Sequence, residues 1–238
     1  MPANSSFKPS LPSETYELTL GDISRAEQEH ALGMVLPNDP VLTRKAELLT
    51  SDQIQTKHVK DVIAKLHEVA VGQRDVRKGK RRRTLVGLAA PQIGVSLRII
   101  LVDTKVQANR TRYGNLECFI NPEIIWRAKE TADGREGCFS TGLVWGLVRR
   151  PIAVKVRALT PEGRMVERVL EGFTARIMQH EMDHLDGVRF PDRIHTDRKR
   201  HWVHAEEIDE YPKHVKHWPR ICDQARWERV KSEATPTQ

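Results

Sequence analysis

Gln179-His180-Glu181-Met182-Asp183-His184 is the stretch that decides how this chain of 238 residues is read. It is an H-E-x-x-H motif. On a helix, residues i and i+4 lie one turn apart on the same face. His180 and His184 therefore offer two imidazoles to a single metal ion. Glu181 sits beside them, where it can take the proton of an activated water. Apolar and polar residues alternate with helical spacing from about Thr174 to Asp186, and Gly187 stands where a helix would stop. The motif points to metal-assisted hydrolysis without naming the bond that is cut.

Upstream of the motif the pattern changes from helical to extended. Ile152, Val154, Val156 and Ala158 alternate with Lys155 and Arg157, the period of a half-buried strand. Val95–Asp103, Cys118–Trp126 and Arg164–Leu170 are further strand candidates. Earlier still, Ser51-Asp52-Gln53-Ile54 reads as a helix start, and Val59, Val62, Ile63, Leu66 and Val69 follow with helical spacing. A short helix is expected over 23–36. Helix, antiparallel-type strands, then a late helix carrying the motif give an α+β fold, with antiparallel β-sheets packed around the H-E-x-x-H helix. Residues 1–22 read as an irregular arm with Pro2, Pro9 and Pro12, 23–190 as the catalytic domain, and 191–238 as a polar extension. Trp202, Trp218 and Trp227 suggest that this extension docks on the domain.

The composition bounds the function. Hydrophobic residues make up 39% and charged residues 30%, which fits a globular protein with a polar surface. No apolar run reaches a membrane span of roughly 18–20 residues. The first 24 residues have one basic residue, Lys8, and no apolar core, unlike a secretory or transit leader. A cytoplasmic location is therefore expected. The three cysteines, Cys118, Cys138 and Cys222, are too few for a disulfide framework and leave one available as a ligand. Most of the net charge of +7 sits in Arg74–Arg83, which holds seven basic residues and one acid. That run reads first as a solvated loop, and otherwise as a contact to RNA, a ribosome or an acidic partner.

A hydrolytic metal site of this kind needs a third protein ligand and an open position. The metzincin continuation H-E-x-x-H-x-x-G-x-x-H keeps Gly187 but has Phe190 where the last histidine belongs. Glu206 and Glu207 stand at a distance suited to a glutamate ligand, with no supporting motif. Glu136-Gly137-Cys138-Phe139-Ser140 offers a thiolate, a strong ligand for zinc or ferrous iron. Gly87-Leu88-Ala89-Ala90-Pro91-Gln92-Ile93-Gly94 adds small residues and, in Gln92, an amide donor suited to an oxyanion. The other eight histidines read as surface residues, and Cys118 and Cys222 as structural.

Together these three segments resemble the signature motifs of the peptide deformylases over roughly residues 40–195. The resemblance implies one divalent metal, ferrous iron in many members and zinc, nickel or cobalt in others. It implies Cys138, His180 and His184 as ligands, Glu181 as general acid/base, and Gln92 with the backbone N–H of Phe139 as oxyanion donors. It also implies substrate contacts from Leu85, Val86, Gly87, Glu136, Gly137 and Trp145. The expected reaction is hydrolysis of an N-formyl group with release of formate, from N-formylmethionyl peptides or from a small formamide such as N-formylkynurenine. Leu85 stands where the family usually has glycine. Thr141-Gly142-Leu143-Val144-Trp145 replaces the family's small residue, proline and glycine. Two other readings fit the residues alone: a zinc endopeptidase with a nitrogen or oxygen third ligand, and a non-catalytic RNA-binding protein with a structural metal.

Overall fold

The computed structural model describes residues 33–71, 85–106 and 115–232. The N-terminal arm and the basic run Arg74–Arg83 lie outside the described residues. So does most of the helix expected over 23–36; residues 33–36 are irregular.

Three helices carry most of the packing: α1 (Lys57–Val71), α2 (Gly172–Leu185) and α3 (Gln224–Ser232). A five-stranded antiparallel sheet has the order β1 (Gly87–Ala89), β2 (Ile99–Asp103), β3 (Leu116–Arg127), β6 (Ala153–Leu159), β7 (Met165–Glu171). A three-stranded antiparallel sheet joins β4 (Thr131–Gly137), β5 (Val144–Pro151) and β8 (Arg200–Trp202).

The helix α2 lies between the two sheets, which is what brings its motif against residues from both. β2 shows how the alternation divides the core. Ile99 and Leu101 face Val62, Leu66 and Val69 of α1, whereas Ile100 and Val102 face Ala175, Met178 and Met182 of α2. All five residues of β2 are buried, and the first four, Ile99 to Val102, form a continuous apolar run. β6 keeps the expected alternation, with Val154, Val156 and Ala158 inward. Ile152 does not belong to it, because it sits in the turn before the strand and is 41% exposed.

The end of α2 is fixed on three sides. Val188 N donates to Asp183 O and Gly187 N to His184 O, a Schellman pattern, with Gly187 at φ +69. A Cβ at Gly187 would stand 2.6 Å from Thr43 O, so glycine is required for space as well as for conformation. Arg98 Nη1 then donates to Leu185 O (3.2 Å) and Asp186 Oδ1 (2.8 Å), a cation on the negative end of the helix.

Strands β1, β4, β5 and β8 have no counterpart in the sequence reading. The segment after residue 191 docks as its tryptophans suggested, with Trp202, Trp218 and Trp227 all buried. It does so by adding β8 to β5, with Tyr211 and Trp218 packed near Trp145 on one face of the hairpin and Trp202 and Trp227 clustered with Val144, Val148 and Phe190 on the other. No helix among the described residues is long and apolar enough to cross a membrane.

Candidate active site

Cys138, His180 and His184 converge: one ligand atom from each lies within 4.8 Å of the others, the one such group of three found among the described residues. β4 delivers Cys138 just past its end, in extended conformation, while α2 delivers both imidazoles. His184 Nε2 is 3.3 Å from Cys138 Sγ. His180 Nδ1 bonds to Glu136 Oε2 at 2.9 Å, which leaves Nε2 for a metal. Phe190 stacks on His180 with centroids 6.0 Å apart, so an apolar ring covers the imidazole where a metzincin would supply a third histidine. Glu207 is engaged by Arg220 and by the backbone N–H of His204, away from this cluster.

Glu136 has no free oxygen for an outside ligand. Arg150 grips it with Nε and Nη2 at 2.7 and 2.8 Å, and Arg176 Nη1 adds a third bond at 2.8 Å. Burial alone would raise its pKa, but the bonds from Arg150 and His180 hold the carboxyl well below the usual carboxylate range. Arg150 Nη1 also donates to Asp183 Oδ2 at 2.9 Å, and Arg193 Nη2 to Asp183 Oδ1 at 2.7 Å. Arg150 and Arg176 thus tie α2 to the β4–β5 hairpin and hold the Glu136 carboxylate that bonds His180. Sequence reading missed Arg150, Arg176 and Asp183, although Asp183 lies inside the motif itself. Burial works against a proton on either imidazole. Cys138 and Glu136 nonetheless raise His180 well above its ordinary value, while His184, beside the charges of His180 and Arg189, falls well below it.

Glu181 is buried, and its Oε2 has no hydrogen-bond partner among the described residues. Burial pushes its carboxyl up to about 7. Gly87 makes room for it: a Cβ there would stand 2.3 Å from Glu181 Oε1 and 2.8 Å from Ile177 Cγ2. Gly87→Ala is therefore expected to displace the carboxylate and lower kcat on the order of 100-fold. Kinetics paired with metal analysis checks this, because the three ligand positions are untouched.

Gln92 has a fixed orientation. Its Oε1 accepts from Ala89 N at 2.8 Å, so Nε2 is turned toward Cys138 Sγ (3.4 Å) and Ser140 Oγ (3.1 Å). Phe139 opens the short turn Phe139–Thr141 directly after Cys138. Leu85 is partly buried against the α1 core, with its N–H donating to Ala70 O at 2.8 Å. Val86 packs toward α2, and its carbonyl accepts from Asp103 N.

Gly137 and Trp145 are register partners on β4 and β5. Gly134 and Glu136 face α2, so Gly137 faces the opposite side, where a Cβ would meet the Trp145 ring at 2.4 Å. Trp145 packs there on Tyr211 of the C-terminal segment, away from the Cys138, His180 and His184 cluster. His201 is also buried, not at the surface as expected, and bonds Tyr211 and Arg198 O. Cys118 and Cys222 lie outside the cluster in packed positions that push their thiols up to about 12 and about 11.

An α+β fold that brings two helix-borne histidines, a cysteine and a buried glutamate together at one point is the architecture of a metal-dependent hydrolase. Comparison with known proteins narrows the class. Residues 32–200 match the family model described as polypeptide deformylase. A peptide deformylase of Desulforudis audaxviator is 40% identical over 162 residues, 68% of this chain and 92% of that protein. One from Natranaerobius thermophilus is 38% identical over 159 residues, 66% of this chain and 87% of that protein. Among solved structures, a class I type b peptide deformylase from Acinetobacter baumannii with Met-Ala-Ser bound gives a TM-score of 0.58 at 33% identity. It covers 68% of this chain and 96% of that one. The Thermotoga maritima enzyme gives 0.55 at 33% identity, covering 68% and 97%. The chain belongs to the peptide deformylase family.

Proposed function

We propose that this protein removes the N-formyl group from N-formylmethionyl peptides, using one divalent metal held by Cys138 Sγ, His180 Nε2 and His184 Nε2. The observation that carries the reading is the convergence of these three donors beside the buried Glu181 carboxylate, whose Oε2 has no hydrogen-bond partner among the described residues. The donor set fits the metal: a thiolate and two imidazoles suit ferrous iron, zinc, cobalt or nickel and disfavour magnesium or calcium. When bound, such an ion supplies Lewis-acid activation of water and of the formyl carbonyl.

The chain's own residues do the rest. Glu181 accepts the proton of the attacking water as its oxygen adds to the formyl carbon. A carboxyl poised near 7 both takes and returns a proton at neutral pH. Gln92 Nε2 and the Phe139 N–H donate to the oxygen that gains charge, and the Ala89 bond keeps that Gln92 donor aimed. As the C–N bond breaks, Glu181 hands the proton to the leaving amine, giving formate and the free N-terminus. Glu136, anionic between Arg150 and Arg176, keeps the proton of His180 on Nδ1 and the ring in register.

A peptide substrate is favoured by the Met-Ala-Ser bound to the similar Acinetobacter baumannii enzyme. Formate release from a formyl-Met-Ala-Ser peptide and from N-formylkynurenine, each at equal concentration, tests the assignment. The peptide is expected to turn over and the small formamide to react far more slowly; the reverse order would contradict the peptide reading.

A further inference from the structure

Arg189 is a fully buried guanidinium that the mechanism above does not use. It lies four residues beyond the end of α2 and is 1% exposed. Its Nη1 donates to Pro37 O (2.5 Å) and to Ser140 O (3.1 Å). Nε and Nη2 are buried with no acceptor among the described residues. What faces the group is the ring of Trp227, 4.7 Å from the guanidinium carbon to the ring centroid. Trp227 is itself anchored: its Nε1 donates to Asp192 Oδ1 at 2.6 Å, and Asp192 Oδ2 accepts from Arg189 N at 3.0 Å.

As a stability device this is a poor arrangement. A buried cation held by two carbonyls and an aromatic face, with no carboxylate in ion-pair range among the described residues, costs more than an apolar side chain of similar volume. Its two carbonyl partners point to a different role. Ser140 is the middle residue of the Phe139–Thr141 turn, which follows Cys138 and carries the Phe139 N–H. Pro37 lies two residues from Val35, whose N–H donates to the Gln92 backbone carbonyl at 2.9 Å. One guanidinium therefore holds both halves of the oxyanion site, the Gln92 side through Pro37 and the Cys138–Ser140 side directly.

We propose that Arg189, held in place by Trp227 of α3, is a positioning residue that sets the Cys138–Ser140 turn against Gln92. This makes α3 part of the active-site architecture, although α3 lies wholly beyond the residues that match the family model. The inference rests on the proposed reading of Gln92 and Phe139 as oxyanion donors.

The test compares the parent chain with Arg189→Met, Arg189→Lys, Trp227→Phe and Trp227→Leu. Steady-state kinetics on formyl-Met-Ala-Ser are paired with the thiolate-to-metal absorption band of the cobalt-loaded proteins. Arg189→Met should keep the parent's metal content and KM, lose about 10- to 100-fold in kcat, and shift the cobalt band. Arg189→Lys should recover part of the kcat. Trp227→Phe, which keeps an aromatic face under the guanidinium, should stay near the parent, and Trp227→Leu should fall toward Arg189→Met. This second pair decides the matter if Arg189→Met does not fold. A role confined to stability would move the melting temperature and leave kcat and the band alone, and that result overturns the proposal. Equal kcat for Trp227→Phe and Trp227→Leu also overturns it. If the parent itself releases no formate, the deformylase reading fails, and the cobalt band alone then decides for the brace or against it.

Discussion

Glu181→Gln is expected to bind its metal as the parent does and to lose about 10²- to 10⁴-fold in kcat, the range typical of removing a general acid–base group. The three proposed ligand atoms belong to other residues, and the amide keeps the volume of the carboxylate beside Gly87 and Ile177. What disappears is the one buried oxygen pair able to carry a proton from water to the leaving amine. Metal analysis with kinetics on a formyl-Met peptide checks both halves. Parental kcat in the variant would sink the proton-transfer role. Loss of metal would show that Glu181 supports the site and does not merely act in it.

Arg150→Ala has the largest expected effect on stability. Glu136 and Asp183 are buried, and Arg150 bonds to both, so its removal strips each carboxylate of a guanidinium partner. Breaking a buried pair from one side costs about 3–5 kcal/mol, because the charge left behind stays desolvated. The pH dependence follows from the same group. Glu136 has its folded pKa depressed, so its contribution is fully present above its unfolded value, near ~4.3, and fades as pH falls toward the folded value. Arg150→Ala should therefore unfold at a higher pH on acid titration as well as at lower denaturant at pH 7. Unchanged midpoints in both titrations would contradict the role given to this network. Arg176 retains a bond to Glu136, so the loss should remain short of complete unfolding at neutral pH.

Local periodicity made part of this molecule legible before its structure. His180 and His184 share a helix face because they are four residues apart, and β6 alternates because one of its faces is buried. β4 escaped because Thr131–Gly137 carries no apolar alternation: Gly134 lies under the Arg176 guanidinium and Gly137 under the Trp145 ring. Glycine marked both close approaches without saying what approached. β5 escaped because its buried positions include Gly146 and Arg150, which do not read as a hydrophobic face.

The same limit governs the candidate site. The motifs identify residues whose chemistry is declared by type, such as Cys138, Gln92 and the histidines. Arg150, Arg176 and Arg189 are declared only by their partners. Those partners lie 14 and 33 residues from Arg150 in sequence and 40 from Arg176. A buried arginine looks in sequence like a solvated one, because its burial depends on pairings that only the folded chain makes. Trp145 shows the converse. Its position next to the Cys138 segment suggested a substrate contact, but a one-residue step along a strand reverses the face, and the ring lies with Tyr211 behind the sheet.

In the proposed reaction Cys138, His180 and His184 hold a single divalent ion on which formamide hydrolysis depends. Formate release from formyl-Met-Ala-Ser, followed while ferrous or cobalt ion is returned stepwise to chelator-treated protein, tests it most directly. The rate should be near zero without metal, rise to a plateau at one equivalent per chain, and stay near zero at every loading in Cys138→Ala. Full formate release from the chelated protein, or from metal-loaded Cys138→Ala, would contradict it.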